Sequence, residues 1–528
     1  MSAPAVHRRA GLLIPLFSCP STASWGVGDI GDLAPIAAWL ASAGQRVLQL
    51  LPLNEMASGQ QSPYSAITAM ALDPIYISVP NVPDFEALGG EAALDAADLA
   101  RLTDVRASAR IEYSAVRQLK QRALGAAFER FRDAEWWHDS PRAQALRAFV
   151  ADESWWLDDY ALYRAIRTRE EDRGWTDWPA DIRDRNPDAL GRARSELADE
   201  ILRSQYLQWI ASTQWRAARE AANGMGVDLF GDLPFMVDGD SADVWANQSQ
   251  FLLDASVGVP PDAFSATGQD WGMPVYRWDA IAAGDFQWLR ARARRSAQLF
   301  DGYRVDHLVG FYRTYGRPRR GGAPFFIPAD ETSQTAQGEQ VLRIFREPGA
   351  EVIAEDLGTV PDFVRASLAR LDVAGFKVAR WEREWDREGH PFRDPADYPA
   401  RSVAISGTHD TEPMVVWWMQ ASRDERMLIA QLPTVARLAA GRDLVDAPFN
   451  PWVRDTLLAS LFAAGSELLL MPIQDVFGWA DRVNEPATVN DRNWTVRLPW
   501  PIDRFDDEAE ARERRDQLRA WSLESRRI

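Results

Sequence analysis

The stretch 300–307 has the sequence Phe-Asp-Gly-Tyr-Arg-Val-Asp-His and combines a strand-like pattern with charged side chains. On a β-strand alternate side chains share a face, so Arg304 and Asp306 are expected to point in the same direction. A neighbouring cation favours the ionised carboxylate, which suits a nucleophile that attacks rather than donates a proton. A structural ion pair inside a barrel is the alternative, and this stretch alone does not separate the two interpretations.

Two further carboxylates follow other strand-like segments. Glu355 lies at the end of one apolar segment, and His409 and Asp410 come directly after another. Carboxylates that converge with Asp306 at one mouth repel one another unless some are protonated or paired with a cation, and this splits their pKa values. Glycoside hydrolysis requires such a pair of acid and nucleophile. A magnesium cluster is the alternative, but Arg304 and the nearby histidines favour the glycosidic chemistry.

Eight short apolar segments alternate with helix-like segments along the chain, which predicts an α/β fold, a closed parallel (β/α)8 TIM barrel. The predicted strands are 11–16, 46–52, 227–232, 300–307, 351–356, 375–379, 402–406 and 468–473. In such a barrel the active site lies at the C-terminal ends of the strands, where the three carboxylates fall. Large helical and loop insertions are expected, and a C-terminal β-sandwich domain is not.

The insertions divide the predicted barrel into three segments. Residues 1–84 hold the first two strands, 85–223 form a mainly helical inserted subdomain, and 224–528 hold the other six strands. The middle segment is assigned as helical because its apolar residues recur with helical spacing. At 528 residues the chain exceeds the size at which a single core usually stops growing, so insertions of this kind are expected.

A long connection precedes the fourth predicted strand. An active-site loop insertion is predicted at about 255–285, because this Gly- and Pro-rich segment shows little regular periodicity. Its aromatic residues Phe264 and Trp271 argue against disorder. We therefore expect a functional loop, with a packed surface loop as the alternative.

Composition excludes several classes of partner. The net charge of −18, from 59 basic and 77 acidic residues, disfavours nucleic acid and anionic membranes and suits a neutral substrate. The only cysteine, Cys19, excludes an internal disulfide and predicts a reducing, cytoplasmic location. The short apolar run after Arg8 and Arg9 is broken by Pro15, so we expect a strand there rather than a signal, and no segment is expected to span a membrane.

Eight short motifs resemble, in their order and barrel placement, those of the amylomaltase family of 4-alpha-glucanotransferases (disproportionating enzymes) in the α-amylase clan. The motifs are Ser62-Pro63-Tyr64, Gly231-Asp232-Leu233-Pro234, Gly258-Val259-Pro260-Pro261-Asp262, Gly268-Gln269-Asp270-Trp271-Gly272, Arg304-Val305-Asp306-His307, Ala354-Glu355-Asp356-Leu357-Gly358, Gly407-Thr408-His409-Asp410 and Gln474-Asp475. The resemblance runs nearly end to end. It implies Asp306 as nucleophile, Glu355 as general acid/base and Asp410 as the third carboxylate, which holds the sugar just before the cleaved bond.

The resemblance also implies sugar contacts from Tyr64, Asp232, Asp262, Trp271, Arg304 and His409. Further candidate substrate-binding residues are Phe264, His307, Gln474 and Asp475. Maltooligosaccharides and other α-1,4-glucans are the implied donors and acceptors, and no cofactor or metal is implied.

The chain departs from the family pattern at several positions near these motifs. Where the family commonly has Phe-Arg after the nucleophile and its histidine, this chain has Leu308 and Val309. Glu412 follows the third carboxylate where the family often has Asp, and Asp270 and Met273 replace an Arg and an Asn in the long loop. No catalytic carboxylate is lost, so the departures concern substrate length and acceptor handling more than the chemistry.

Three functions remain open from the sequence. The first is a retaining α-1,4-glucan transferase, the second an α-glucan hydrolase on the same scaffold, and the third a non-catalytic barrel that binds glucans. The presence of Asp306, Glu355 and Asp410 argues against the third. The transferase is the function that the resemblance favours.

Overall fold

The computed structural model describes residues 8–261, 268–486, 488 and 490–528. The strands in this part of the chain are β1 (Arg9–Leu13), β2 (Val47–Gln49), β3 (Asp228–Pro234), β4 (Phe251–Val259), β5 (Gln269–Tyr276), β6 (Gly302–Asp306), β7 (Thr314–Pro318), β8 (Phe325–Ile327), β9 (Glu351–Ala354), β10 (Ala374–Val378), β11 (Ser402–Ile405) and β12 (Leu468–Pro472). Eight of them close a parallel barrel in the order β1-β12-β11-β10-β9-β6-β3-β2. The predicted barrel is confirmed, and each predicted strand segment supplies one of its strands.

The barrel strands form because both of their faces are buried. The side chains of β12 are buried without exception, as are those of β11, which explains why these strands are continuous apolar runs rather than alternating ones. Strand pairing also sets which residues meet at the mouth. In the β3–β6 register, Asp232 lies opposite Arg304 and Pro234 lies opposite Asp306.

The connection at 255–285 differs from its prediction, because much of it is regular. Strands β4 and β5 form an antiparallel hairpin within a second sheet of order β5-β4-β7-β8. Glycine suggested a loop, but here it permits close pairing: a Cβ on Gly258 would lie 2.0 Å from the Gln269 carbonyl oxygen, and one on Gly316 would meet the Phe325 ring at 2.5 Å. Strand interiors use glycine where another backbone or ring approaches closely.

The helices surround the barrel and fill the middle of the chain. Those before β3 are α1 (Leu33–Ser42), α2 (Pro83–Ala87), α3 (Ala96–Ala107), α4 (Tyr113–Ala134), α5 (Pro141–Arg169), α6 (Ala180–Arg183), α7 (Pro187–Glu196) and α8 (Ala198–Gly224). Those after it are α9 (Ala242–Ala246), α10 (Trp278–Ala283), α11 (Gln287–Leu299), α12 (Val309–Tyr312), α13 (Glu331–Arg346), α14 (Asp362–Arg370), α15 (Met414–Gln420), α16 (Arg423–Ala430), α17 (Pro433–Ala439), α18 (Pro451–Phe462), α19 (Ile473–Phe477) and α20 (Ala509–Glu524).

Helices α2 to α8 occupy the segment predicted to be a helical insertion. Its apolar stripe on α4 is buried as helical spacing requires, with Leu119, Leu124, Phe128 and Phe131 each at most 3% exposed. The boundaries of the three predicted segments stay a prediction. Among the described residues, none of the helices combines the length and the apolar character that a membrane span needs.

Candidate active site

Arg304 joins the ends of β3 and β6 at the barrel mouth. Its Nη1 donates to both carboxylate oxygens of Asp232 at 2.8 and 2.7 Å, and its Nη2 donates to Asp306 Oδ1 at 2.6 Å. The side chain is 5% exposed, and the two carboxylates outweigh the effect of burial to raise the pKa of Arg304. This fixed cation holds the Asp306 carboxylate in place. Asp306 itself is 29% exposed and open to a reacting atom.

Glu355 follows β9 and faces the same arginine. Its Oε2 accepts a hydrogen bond from the His307 backbone N–H at 2.7 Å, and its Oε1 accepts one from the Leu357 N–H at 2.9 Å. Arg304 Nη2 lies 4.0 Å from Oε2. Burial, assisted by the negative charge of Asp306 and opposed by Arg304, raises the pKa of Glu355 to about 7. This carboxyl can therefore carry a proton near neutral pH and also release it.

Asp410 follows β11 and has stronger donors. Its Oδ1 accepts a hydrogen bond from Asn484 Nδ2 at 2.6 Å, and its Oδ2 lies 3.3 Å from His409 Nε2. Arg482 donates to its backbone carbonyl. Burial works against ionisation, but the charge of His409 and the hydrogen bonds from His409 and Asn484 hold the pKa of Asp410 well below its usual range. Asp410 is therefore an ionised carboxylate.

Tyr64 connects the two sides of the mouth. Its hydroxyl donates to Asp232 Oδ2 at 2.8 Å and lies 3.1 Å from His409 Nε2. Its ring stacks on the His409 ring with centroids 5.4 Å apart, and Trp494 packs against both rings. Burial raises the pKa of the Tyr64 phenol well above its usual value, with Asp232 adding to the effect. The phenol therefore stays protonated and acts as a donor.

His307 links the second sheet to the acid/base candidate. Its ring lies between Phe235 and Trp271, with ring centroids 5.1 and 4.9 Å away. Burial lowers the pKa of His307 to about 4, so the ring is neutral at pH 7. Trp271 belongs to β5, and its indole N–H donates to Gln269 Oε1 at 3.1 Å. The hairpin that was predicted to be a loop thus lies against the mouth.

The structure brings most of the predicted site residues together, but not all of them. Asp475 is 1% exposed, and its two oxygens accept hydrogen bonds from Ser406 Oγ and the Met414 N–H, both at 2.6 Å. These contacts support an internal role for Asp475 rather than contact with a sugar. The neighbouring Gln474 is also buried, and its amide has no hydrogen-bond partner among the described residues.

Two predicted contacts, Asp262 and Phe264, lie outside the described residues. Sequence reasoning missed Asn484, Arg482, Trp494 and Phe235, which touch the predicted site residues. The only signal for Trp494 was the high tryptophan content, and a single asparagine or arginine in a long irregular segment carries no signal. In the part of the chain that is described, no group of three or more His, Cys, Asp or Glu side chains is arranged to hold a metal ion.

A closed parallel barrel whose mouth combines an ionised carboxylate, Asp410, with a carboxyl that titrates near neutral pH, Glu355, is the arrangement of a barrel enzyme. The family described as 4-alpha-glucanotransferase matches residues 14–503. The chain therefore belongs to this family of glycosyl-transferring enzymes.

Individual proteins of known activity or structure are similar to this chain over almost its whole length. The 4-alpha-glucanotransferase of Thermus thermophilus is 33% identical over 507 residues, covering 93% of this chain and 95% of the relative. The 4-alpha-glucanotransferase of Synechocystis sp. is 32% identical over 509 residues, covering 93% and 94%. Among solved structures, the amylomaltase of Streptococcus agalactiae in complex with acarbose has a TM-score of 0.81 at 26% identity and covers 98% of this chain and 99% of that one.

Proposed function

We propose that this enzyme transfers α-1,4-glucan segments between maltooligosaccharides by a retaining double displacement. The observation that carries the mechanism is the position of one Arg304 nitrogen, 2.6 Å from Asp306 and 4.0 Å from Glu355. Carboxyl groups this close to a shared atom favour the retaining separation of about 5–5.5 Å over the roughly 6.5–9.5 Å that inversion needs for a water. Asp306, paired with the cation, is the nucleophile, and Glu355 is the acid.

In the first step an Asp306 carboxylate oxygen bonds to the anomeric carbon of the donor glucan. The bond from that carbon to the glycosidic oxygen breaks, and the leaving 4-oxygen takes the proton from Glu355. In the second step the 4-hydroxyl of an acceptor attacks the same carbon, Glu355 removes its proton, and the bond to Asp306 breaks. A pKa of about 7 for Glu355 suits a group that must donate and then accept one proton.

The remaining residues of the mouth bind and orient the sugar in this proposal. The ionised Asp410 holds hydroxyls of the sugar before the cleaved bond, and its partner His409 donates at the same edge. Tyr64 offers an aromatic face for sugar stacking beside them. Trp271 lies on the acceptor side, where it binds an acceptor and shields the intermediate from water.

Transfer rather than hydrolysis requires that an oriented acceptor outcompete water, which is far more concentrated. Orientation supplies many orders of magnitude of effective molarity when the acceptor is held in attack geometry. A reducing compartment fits the single buried Cys19, so we place the enzyme in the cytoplasm, with maltooligosaccharides as its substrates.

Incubation of the protein with maltotriose alone tests the proposal. We expect glucose together with maltooligosaccharides longer than maltotriose. Shortened products without longer ones would identify a hydrolase, and unchanged maltotriose would identify a binding protein. The Asp306→Asn variant, assayed in parallel, controls for contaminating activity because it lacks the nucleophile.

A further inference from the structure

The loop that carries His409 and Asp410 is held from outside the sugar site. This loop, residues 407–413, connects β11 to α15 and is called here the β11 loop. A Cβ on Gly407 would lie 2.4 Å from Thr411 Oγ1, so the loop is tightly closed on itself. Strands β10 and β12 flank β11 in the barrel. Each of them is followed by one buried charged residue that reaches the β11 loop.

Arg380 reaches the loop from the β10 side. Its Nε donates to the Ser406 carbonyl at 3.2 Å, and its Nη1 donates to the Glu412 carbonyl at 2.8 Å. Nη1 also lies 3.3 Å from Glu412 Oε1. One planar guanidinium therefore connects the residue before the loop with a residue near its end, a geometry that a lysine cannot reproduce.

Asp475 contacts the residues on either side of the same loop, from the β12 side. Its Oδ2 accepts the Ser406 hydroxyl and its Oδ1 accepts the Met414 backbone N–H, both at 2.6 Å. Arg380 and Asp475 are 5% and 1% exposed. Burying two charges costs several kcal/mol per ion unless their hydrogen bonds are satisfied. The bonds of Arg380 Nε and Nη1 and of both Asp475 oxygens go to the two ends of the β11 loop and set the distance between those ends, whereas Arg380 Nη2 has no hydrogen-bond partner among the described residues.

We propose that Arg380 and Asp475 are positioning residues that place the Asp410 carboxylate for the reaction. The inference rests on the proposed function, because it assigns them an effect only through Asp410. Both side chains are almost fully buried, and their hydrogen bonds go to residues 406, 412 and 414. A misplacement of 1 Å in a catalytic constellation can cost about 10²-fold in rate, so the span of the loop matters for turnover even when the fold is unchanged.

The test compares two conservative variants with two matched controls. Arg380→Lys keeps the charge and loses the fork, and Asp475→Asn keeps the shape and loses the charge. Arg527→Lys changes another buried arginine that donates to backbone carbonyls, those of Arg9, Phe462, Ala464 and Glu467. Asp394→Asn changes another buried aspartate, which accepts from the Ala396 and Thr434 N–H groups. The readouts are kcat and KM for maltotriose and the midpoint of thermal unfolding.

We expect kcat to fall about 10–100-fold in Arg380→Lys and Asp475→Asn, with KM and the unfolding midpoint changed no more than in the controls. The controls should keep kcat within about twofold of the wild type. If either charged variant fails to fold, the milder Ser406→Ala replaces it in the test. This variant removes one of the two donors to Asp475 and should lower kcat several-fold. Wild-type kcat in the variants that fold would overturn the proposal.

A double variant separates this proposal from the function on which it rests. In an Asp410→Asn background, adding Arg380→Lys should change kcat by less than about twofold, because residues that act as a unit are not additive. A further loss equal to that of the single variant would mean that Arg380 acts elsewhere and would overturn the inference alone. Wild-type turnover in Asp410→Asn by itself would overturn the proposed role of Asp410 and the inference together.

Discussion

The two halves of the barrel mouth shift the pKa of a carboxyl group in opposite directions. On the β6–β9 side, Glu355 is 12% exposed and receives two backbone N–H groups. On the β11 side, Asp410 is 40% exposed and receives the side chains of Asn484 and His409. Burial raises the pKa of Glu355 to about 7. For Asp410, the charge of His409 and the hydrogen bonds from His409 and Asn484 outweigh burial and hold the pKa well below its usual range.

This difference shows which feature decides the proton affinity of each carboxylate. Neutral amides at short distance do not overcome the loss of water around Glu355, because desolvation penalises the charged form. A histidine next to Asp410 favours the charged form and reverses the balance. The mouth can therefore hold a carboxyl that exchanges a proton near neutral pH together with a carboxylate that stays ionised.

The largest expected effect comes from removing the group that both halves serve. Asp306→Asn should lower kcat for maltotriose by about 10⁴-fold or more, because no covalent intermediate can form. Binding of maltotriose, measured by calorimetry, should remain within severalfold of the wild type. A variant that still turns over at a tenth of the wild-type rate would falsify the assignment of the nucleophile.

Glu355→Gln removes the titrating half of the comparison. We expect kcat for maltotriose to fall about 10²–10⁴-fold, since a glutamine cannot protonate the leaving oxygen. A glucosyl donor with an activated leaving group needs no such proton, so glycosylation by that donor should be much less affected. Burst kinetics with both donors check this. An equal loss with the two donors would assign Glu355 another role.

Asn484→Ala weakens the anionic half without removing its carboxylate. A hydrogen bond to a charged group contributes about 1.5–3 kcal/mol, so kcat/KM for maltotriose should fall roughly 10–100-fold. The matched control is Asn450→Ala, which removes the cap of α18 and changes hydrogen bonds only to residues 448 and 453. If both variants lose activity equally, the loss reflects stability rather than Asp410.

The pH dependence of kcat/KM distinguishes the two carboxylates directly. Glu355 must be protonated in the free enzyme for the first step, and its pKa is raised to about 7. The value of kcat/KM should therefore fall about tenfold per pH unit above pH 7. Asp410 stays ionised across this range and therefore causes no further change of kcat/KM with pH. A flat profile from pH 6 to pH 9 would contradict the assignment of Glu355 as the acid.

Trp271→Ala is expected to have the smallest effect, on partition rather than rate. The Trp271 ring contacts the ring of His307, and the backbone N–H of His307 donates to Glu355. Trp271 therefore lies close to the carboxyl that activates the acceptor. Its removal should lower the transfer-to-hydrolysis ratio severalfold, measured as glucose and reducing ends released from maltotriose. Trp137→Ala, at an exposed site between α4 and α5, is the control. An unchanged ratio in Trp271→Ala would contradict the acceptor role.

Much of the fold could be predicted because its signals are local. Each barrel strand is a short apolar run. Strands β9, β10 and β11 begin and end within two residues of their predicted bounds. The hairpin of β4 and β5 could not be predicted, because β4 also pairs with β7, more than 40 residues further along the chain, and β7 in turn pairs with β8. The glycines in this sheet allow a facing backbone or ring to approach closely, but in the sequence they resemble the glycines of a loop.

The residues with catalytic potential can be recognised from local patterns: Arg304 and Asp306 share a strand face because side chains alternate, and Glu355 and Asp410 follow strands of the same barrel. The protonation state of each carboxylate depends on contacts that form only in the folded chain. The proton affinity of Asp410 depends on the ring of its chain neighbour His409, 3.3 Å away in the fold, and then on Asn484, 74 positions away in the chain. That of Glu355 depends on burial by the assembled mouth. Asp475 is also an aspartate that follows a barrel strand, but it is buried behind the β11 loop. Desolvation and donor geometry are properties of packed neighbours, and no local sequence pattern records them.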